Sequence, residues 1–217
     1  MGYKVEVSHV IKEFKRFRAL DDITISFEKG KIHGLVGRNG SGKTVLMKCI
    51  CGLLRVSAGK ICIDGKEVFP EKYPTDSIGI IIEQPGYIEN YNVYQNLYFL
   101  TGLKKKPDKQ HLMDVIRKVG LDPLEKKPMK KYSMGMKQRF ALAQAIVEDP
   151  ELMILDEPMN GLDNKGVEEI RTLLLQEKAK GKTIILSSHN KEDIRVLCDT
   201  FTELDQGKTV KNSSYTS

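Results

Sequence analysis

Apolar and polar residues alternate through residues 3–7 and again through Ile23-Thr24-Ile25-Ser26-Phe27, the period of half-buried strands. Glu28-Lys29-Gly30 turns the chain, and residues 31–36 predict a strand that runs into a glycine-rich loop. A helix is expected over 44–54, ending near Gly52. Ile61-Cys62-Ile63 followed by Asp64-Gly65 reads as a strand and a hairpin turn. Residues 78–82 are apolar without interruption, as in a strand covered on both faces.

The period changes after Gln84-Pro85-Gly86. Val93, Leu97 and Leu100 recur at helical spacing, as do Leu112, Val115, Ile116 and Val119. Gly120 and Pro123 break the pattern before another helix over 134–147. Residues 152–155 and 183–186 are again buried-type strands, and helices are expected over 164–179 and 191–197. Alternating strands and helices predict an α/β fold with a mostly parallel sheet covered on both faces. The expected organisation is one domain over 1–217. Its α/β core comprises about 1–86 and 148–210, and a helical subdomain over about 87–147 is inserted into it. Antiparallel material at the N-terminus and in the tail is expected to form a separate small β-layer, with residues 211–217 frayed.

Composition narrows this picture only slightly. The chain has 217 residues and a formal net charge of +6, and its apolar and charged fractions are those of an ordinary globular protein. It has no run of about 18 apolar residues and no secretory signal, and Glu6 stands where N-myristoylation wants Ser or Thr. Cys49, Cys51, Cys62 and Cys198 show no C-x-x-C spacing and read as buried free thiols of a reducing compartment. Lysines cluster at 104–106 and over 126–131, either as a solvated basic face or facing acidic lipid headgroups.

The first chemistry lies at Gly37-Arg38-Asn39-Gly40-Ser41-Gly42-Lys43-Thr44-Val45, a complete G-x-x-x-x-G-K-[ST] between a strand and a helix. Glycines let successive backbone N–H groups turn inward at a helix N-terminus, where the dipole favours a phosphate. Lys43 reaches the β- and γ-phosphates, and the Thr44 hydroxyl faces Mg²⁺. The core is therefore that of a P-loop NTPase. The metal site needs a carboxylate, and the strand Leu152-Met153-Ile154-Leu155 ends on Asp156. In an open parallel sheet the crevice lies at the C-terminal strand ends, which brings Asp156 beside Thr44. Glu157 diverges from Asp156 and can polarise a water against the γ-phosphate.

Four further segments occur in order: Gln84 at a strand end, Tyr132-Ser133-Met134-Gly135-Met136-Lys137-Gln138-Arg139, Asn160-Gly161-Leu162-Asp163, and Ser187-Ser188-His189. Together with the phosphate loop and Asp156-Glu157 they make the chain resemble the nucleotide-binding domain of ABC transporters over about residues 3–210. The resemblance implies an ATPase that uses ATP and Mg²⁺. It implies that Phe14 stacks on adenine, with Phe17 as the competing choice, and that Gln84 senses Mg²⁺ and the γ-phosphate. Ser133 and Gly135 match the signature loop that caps the partner subunit's ATP. Asp163 matches the aspartate of the dimer seam, and His189 the histidine that contacts the γ-phosphate. The usual L-S-G-G-Q is replaced by Tyr132-Ser133-Met134-Gly135-Met136, and the ending Gly-Met-Lys-Gln-Arg is similar to bacterial exporters of drugs and antimicrobial peptides.

The resemblance further implies a head-to-tail dimer with a second ATP-binding subunit, identical or not. A multi-spanning membrane permease would be the partner, with no nucleic acid and a place on the cytoplasmic face of the membrane. Two other readings stand beside this one: a soluble, non-transport ABC-type ATPase, and a regulatory nucleotide-binding subunit. DNA-repair ATPases of this type part the two nucleotide motifs with a long coiled coil, and the distance from Lys43 to Asp156 leaves no room for one.

Overall fold

The computed structural model describes residues 2–69, 78–103 and 106–214. Its centre is a six-stranded sheet in the order β10-β9-β3-β8-β7-β6. The strands are β3 (Ile32–Val36), β6 (Ile78–Ile81), β7 (Leu152–Asp156), β8 (Thr183–Ser187), β9 (Thr200–Asp205) and β10 (Lys208–Ser214). All are parallel except β10, which pairs antiparallel with β9 at the edge. A second sheet, in the order β2-β1-β4-β5, is antiparallel and comprises β1 (Tyr3–Phe14), β2 (Phe17–Glu28), β4 (Ala58–Ile63) and β5 (Lys66–Glu67).

The buried residues of the central sheet alternate between two cores, as the strand period of two requires. Leu35, Leu152, Ile154, Ile185 and Leu204 face the antiparallel sheet and helix α1 (Lys43–Ile50). Ile32, Met153, Leu155, Ile184 and Leu186 face the opposite core, with α4 (Met134–Ile146), α5 (Asn164–Ala179) and α6 (Lys191–Leu197). Helices α2 (Val93–Gly102) and α3 (Lys109–Lys118) pack on that side as well. A short 3-10 turn at Met129–Lys131 buries Met129 and leaves Lys130 and Lys131 exposed beside Lys126. Lys104 and Lys105 lie outside the described residues.

Two expectations need correction. The tail is not part of the N-terminal β-layer: β9 pairs with β3 in the central sheet, and β10 follows it there. Residues 211–214 are not frayed, because their backbone is held in β10; residues 215–217 lie outside the described residues. The N-terminal strands also run well past their alternating stretches. Bulges at His9 (φ 50°) and Asp22 (φ 57°) shift the register of β1 against β2, which erases the period that marks a strand in the sequence. Cys62 is only half-buried, while burial pushes the thiols of Cys49, Cys51 and Cys198 up to about 11, 12 and 12.

Helix α5 is tied to α3 and to the chain ahead of β8 through charge. Glu177, 1% exposed, accepts from Lys118 at the end of α3 and pairs with Lys182 at 2.6 Å and Lys180 at 2.9 Å ahead of β8. Burial favours the neutral acid, yet the three lysines outweigh it and hold the Glu177 carboxyl down to about 2. A depressed carboxylate stabilises the fold above its ordinary value of 4.5, and that contribution is lost as pH falls toward about 2. Glu177→Gln is expected to cost about 3 kcal/mol at pH 7, the low end for breaking a buried pair, since Lys118 and Lys180 keep part of their hydration. In urea unfolding the gap between the two proteins should narrow from pH 5 to pH 3. A gap that ignores pH would refute the charge account.

Candidate nucleotide site

Five of the six α-helices among the described residues carry a side-chain N-cap: Asn92, Asp108, Ser133, Asp163 and Asn190 each accept a backbone N–H. Helix α1 differs. Its N-cap is Gly42 at φ 106°, with no side-chain cap and no acidic residue in the first turn. Its free N–H groups and the positive end of its dipole therefore point into the loop from Gly37, which is the local chemistry of an anion site. The loop depends on its glycines for space. A Cβ on Gly37 (φ 148°) would lie 2.2 Å from the Leu204 carbonyl, and one on Gly42 would lie 2.9 Å from the Ala19 carbonyl.

The side chains around the loop are arranged for phosphate. Lys43 is buried, and its ammonium donates to the Gly37 and Arg38 carbonyls at 2.8 and 3.1 Å. Burial lowers its pKa, opposed by Asp156 and Glu157. The Ser41 hydroxyl is buried and, among the described residues, has no hydrogen-bond partner. A buried hydroxyl without a partner is costly, and a phosphate oxygen would satisfy it. Arg38, Asn39 and Gly40 are exposed at the loop's outer turn, and Val45 packs inward against the core.

The parallel register sets the acidic residues against this loop. Thr44 Oγ1 donates to Asp156 Oδ2 at 2.6 Å. Ser187, opposite Asp156 on β8, donates to its other oxygen and accepts from the Glu157 N–H. Glu157 adopts φ 51°, the left-handed region that a residue with a Cβ avoids. Its carboxylate turns toward His189, whose backbone N–H donates to Oε2 at 3.3 Å. His189 Nε2 stands 3.2 Å from Glu157 Oε1, within ion-pair reach but out of line for a hydrogen bond, so that oxygen is buried without one. Burial chiefly raises the Glu157 pKa, against the pull of His189, which suits a carboxylate that takes up a proton. Gln84, Asp156 and Glu157 share a cleft of about 500 Å³ with Met134, Gln138 and Asn160.

Other residues singled out from the sequence are placed apart from this cluster. Ser133 accepts from Met136 N–H as the cap of α4, and Asp163 from Gly166 N–H as the cap of α5. No hydrogen bond among the described residues ties either to the phosphate loop. Gly135 packs against the Gly161 carbonyl, 3.0 Å from where its Cβ would be, and Met134, 60% exposed, lies over Gly161. Met136 is partly buried in the core of the helical side. Phe14 and Phe17 face each other across the β1–β2 turn, 41% and 62% exposed, with the Lys12 ammonium 4.8 Å from the Phe14 ring. Their hairpin approaches α1 through Ala19 and Leu20, which touch Gly42.

Three contributors carry no role in the sequence reading. Ser187 bridges Asp156 and Glu157. Gln138 donates to the Glu157 and Pro158 carbonyls at 3.2 and 2.9 Å. Asp193 takes two donors of Arg171 and the Ser188 hydroxyl, which braces the residue before His189. Only position gave any signal for them, since Gln138 and Ser187 stand inside the quoted segments.

A family model described as ABC transporter matches residues 20–160. The ABC transporter ATP-binding protein YybJ of Bacillus subtilis is 42% identical, over 94% of this chain and 94% of its own. The lantibiotic transport ATP-binding protein SrtF of Streptococcus pyogenes is 33% identical over 97% of this chain and 91% of its own. The bacitracin transport ATP-binding protein BcrA of Enterococcus faecalis is 37% identical over 97% and 69%. Among solved structures, cbiO1 of Clostridium perfringens, part of the ABC transporter complex cbiONQ, superposes with a TM-score of 0.84 at 28% identity, covering 99% of this chain and 89% of that one. The dimeric cassette MJ0796 reaches 0.88 over 97% and 98%, and at 20% identity it speaks for the fold alone.

Gly42→Ala tests the loop geometry. A left-handed alanine costs about 1–3 kcal/mol, and the Ala19 contact adds to it. Thermal unfolding should shift down, and titration with a fluorescent ATP analogue should show at least tenfold weaker binding. Undiminished affinity would mean that the loop's conformation does not hold the phosphates.

Proposed function

The chain belongs to the ABC transporter family, as an ATP-binding and ATP-hydrolysing motor subunit, and on that premise we propose that it powers export through a separate membrane permease. The observation that carries the motor reading is the joining of Thr44, Asp156, Ser187, Glu157 and His189 at one end of the parallel sheet, beside an uncapped helix N-terminus. The export direction is supported by the lantibiotic and bacitracin transport proteins among its relatives.

In this reading the phosphates rest on the N–H groups from Gly37 to Val45, with Lys43 against the β- and γ-phosphates. Phe14, or Phe17 in its place, stacks on adenine. The donor set suits Mg²⁺, since a threonine hydroxyl, a carboxylate and a glutamine amide are hard oxygen ligands and Thr44 and Asp156 already converge at 2.6 Å. Among the described residues no trio of His, Cys, Asp or Glu makes a rival metal site. Thr44, Asp156 and Gln84 would hold the ion, which would supply positive charge to offset that of the phosphates. Glu157 accepts a proton from water as the water oxygen attacks the γ-phosphorus. The bond from phosphorus to the ADP oxygen breaks, releasing ADP and phosphate. His189 orients Glu157 and reaches the γ-phosphate.

Ser133, Gly135 and Asp163 belong to the second half of the site. Their distance from the loop in hydrogen-bond terms fits a head-to-tail dimer in which they meet the partner subunit's ATP. Helix α4 presents Ser133 and Gly135 from the subdomain spanning about 87–147, while Asp163 stands at the cap of α5 in the core formed by 1–86 and 148–210. No helix among the described residues is long and apolar enough to cross a membrane, and in this reading a separate permease forms the path for cargo. A groove of about 370 Å³ beside Gln84, lined by Ile80, Ile82, Pro85, Leu100 and Leu103, fits a loop of that permease. Leu103 in its lining is 70% exposed. The protein would then sit at the cytoplasmic face of the membrane.

Glu157→Gln is expected to retain ATP, lose turnover by about 10²–10⁴-fold, and accumulate as an ATP-bound dimer in size-exclusion chromatography. Unchanged hydrolysis would remove Glu157 from the role of base. Leu103→Asp should leave basal ATPase activity intact and abolish co-purification with a multi-spanning protein from membranes. Retained co-purification would place the permease contact elsewhere, and a chain that never joins a membrane fraction would favour a soluble ATPase.

A further inference from the structure

Ser187 closes β8, is 0% exposed, and stands opposite Asp156 in the parallel pairing of β7 and β8. Its hydroxyl makes two bonds at once. It lies 2.5 Å from Asp156 Oδ1 and 3.1 Å from the Glu157 nitrogen. The directions are forced: the Glu157 N–H can only donate, so the serine oxygen accepts there and its one hydrogen goes to the carboxylate. Asp156 is thereby held at both oxygens, by Ser187 on Oδ1 and by Thr44 on Oδ2. Glu157 is held along its backbone, by Ser187 at the N–H and by Gln138 at the C=O. That second pair of contacts matters because Glu157 sits at φ 51°, a conformation costing about 1–3 kcal/mol that persists only when its surroundings fix it.

We propose that Ser187 is a positioning residue for ATP hydrolysis, its hydroxyl setting the rotamer of Asp156 and the left-handed backbone of Glu157 together. This rests on the roles given above to Asp156 and Glu157. A side chain with a donor and an acceptor on one atom is required, so threonine can replace serine in chemistry and alanine cannot. Nucleotide affinity is carried by the phosphate loop, which Ser187 does not touch through any hydrogen bond among the described residues. Its effect therefore falls on the chemical step.

The test uses the purified full chain with Ser187→Ala and Ser187→Thr, read by kcat, KM for ATP, titration with a fluorescent ATP analogue, and thermal unfolding. Ser187→Ala is expected to lower kcat about tenfold, which is about 1.4 kcal/mol of barrier. KM and analogue affinity should stay within about twofold, by the logic that a group acting only at the transition state leaves binding alone. Ser187→Thr should recover kcat to within about threefold of the original. Wild-type kcat in Ser187→Ala overturns the proposal. So does a fall in kcat that alanine and threonine share and that tracks a common loss of thermal stability, since that marks a packing role. Glu157→Gln, measured alongside, separates the two layers. If it hydrolyses ATP normally, the reading of Glu157 fails at its base; if it is inactive while Ser187→Ala is normal, only the role of Ser187 fails.

Discussion

The parallel alignment of β3, β7 and β8 is the constraint on which the site depends. Parallel strands put all their C-terminal ends on one edge, so Val36, Asp156 and Ser187 finish side by side although they are far apart in the chain. The phosphate loop leaves from the first of these ends, the acidic pair from the second, and His189 from the third. Each strand is buried along nearly its whole length, and a slip of one residue would exchange the two cores. Hydrophobic register therefore fixes the Thr44–Asp156 distance. The chemistry inherits its precision from packing that has no chemical role.

A second level of control is polar. At the strand ends the apolar layers give out, and hydrogen bonds take over the positioning. Ser187 and Gln138 fasten the backbone of Glu157 from two directions, while Arg171 and Asp193 fasten Ser188. Gln138 belongs to α4, which also begins with the Ser133 cap. A rotation of α4, which begins at Ser133, must pull on the carbonyls of Glu157 and Pro158. The residue proposed to activate water and the loop proposed to meet a partner's nucleotide are thus joined by one helix.

Much of this was legible in the sequence, for reasons that differ by element. Helices α5 and α6 coincide with their periodic stretches because each starts at a capping residue, Asp163 and Asn190, and buries apolar residues at helical spacing, Ile170, Leu173 and Leu174 in one and Ile194 and Leu197 in the other. Buried strands such as β7 announce themselves by continuous apolar runs. The phosphate loop was legible because its glycines are required one by one by positive φ and close backbone. Strands β1 and β2 were only half visible, since bulges at His9 and Asp22 break the alternation. The tail was misplaced because strand pairing is a long-range property: nothing local in residues 200–214 tells whether they join β3 or β1. Ser187 was missed for a like reason, since a serine at a strand end acquires meaning only from the residue paired opposite.

The altered signature loop follows from the same packing logic. Methionine at 136 is partly buried in the core of the helical side, and Met134 lies across Gly161 with its Cε where a Cβ on that glycine would clash. Gly161 has φ 77°, and its carbonyl touches Gly135 in turn. The segment before α5 and the start of α4 are therefore interlocked within one chain, with a flexible thioether as the filler. A glycine at 134 would leave that contact open, and the two loops could move separately. With methionine there, the segment leading to Asp163 and the cap at Ser133 are packed together, so in the dimer proposed above a partner subunit would meet one preassembled surface rather than two independent loops.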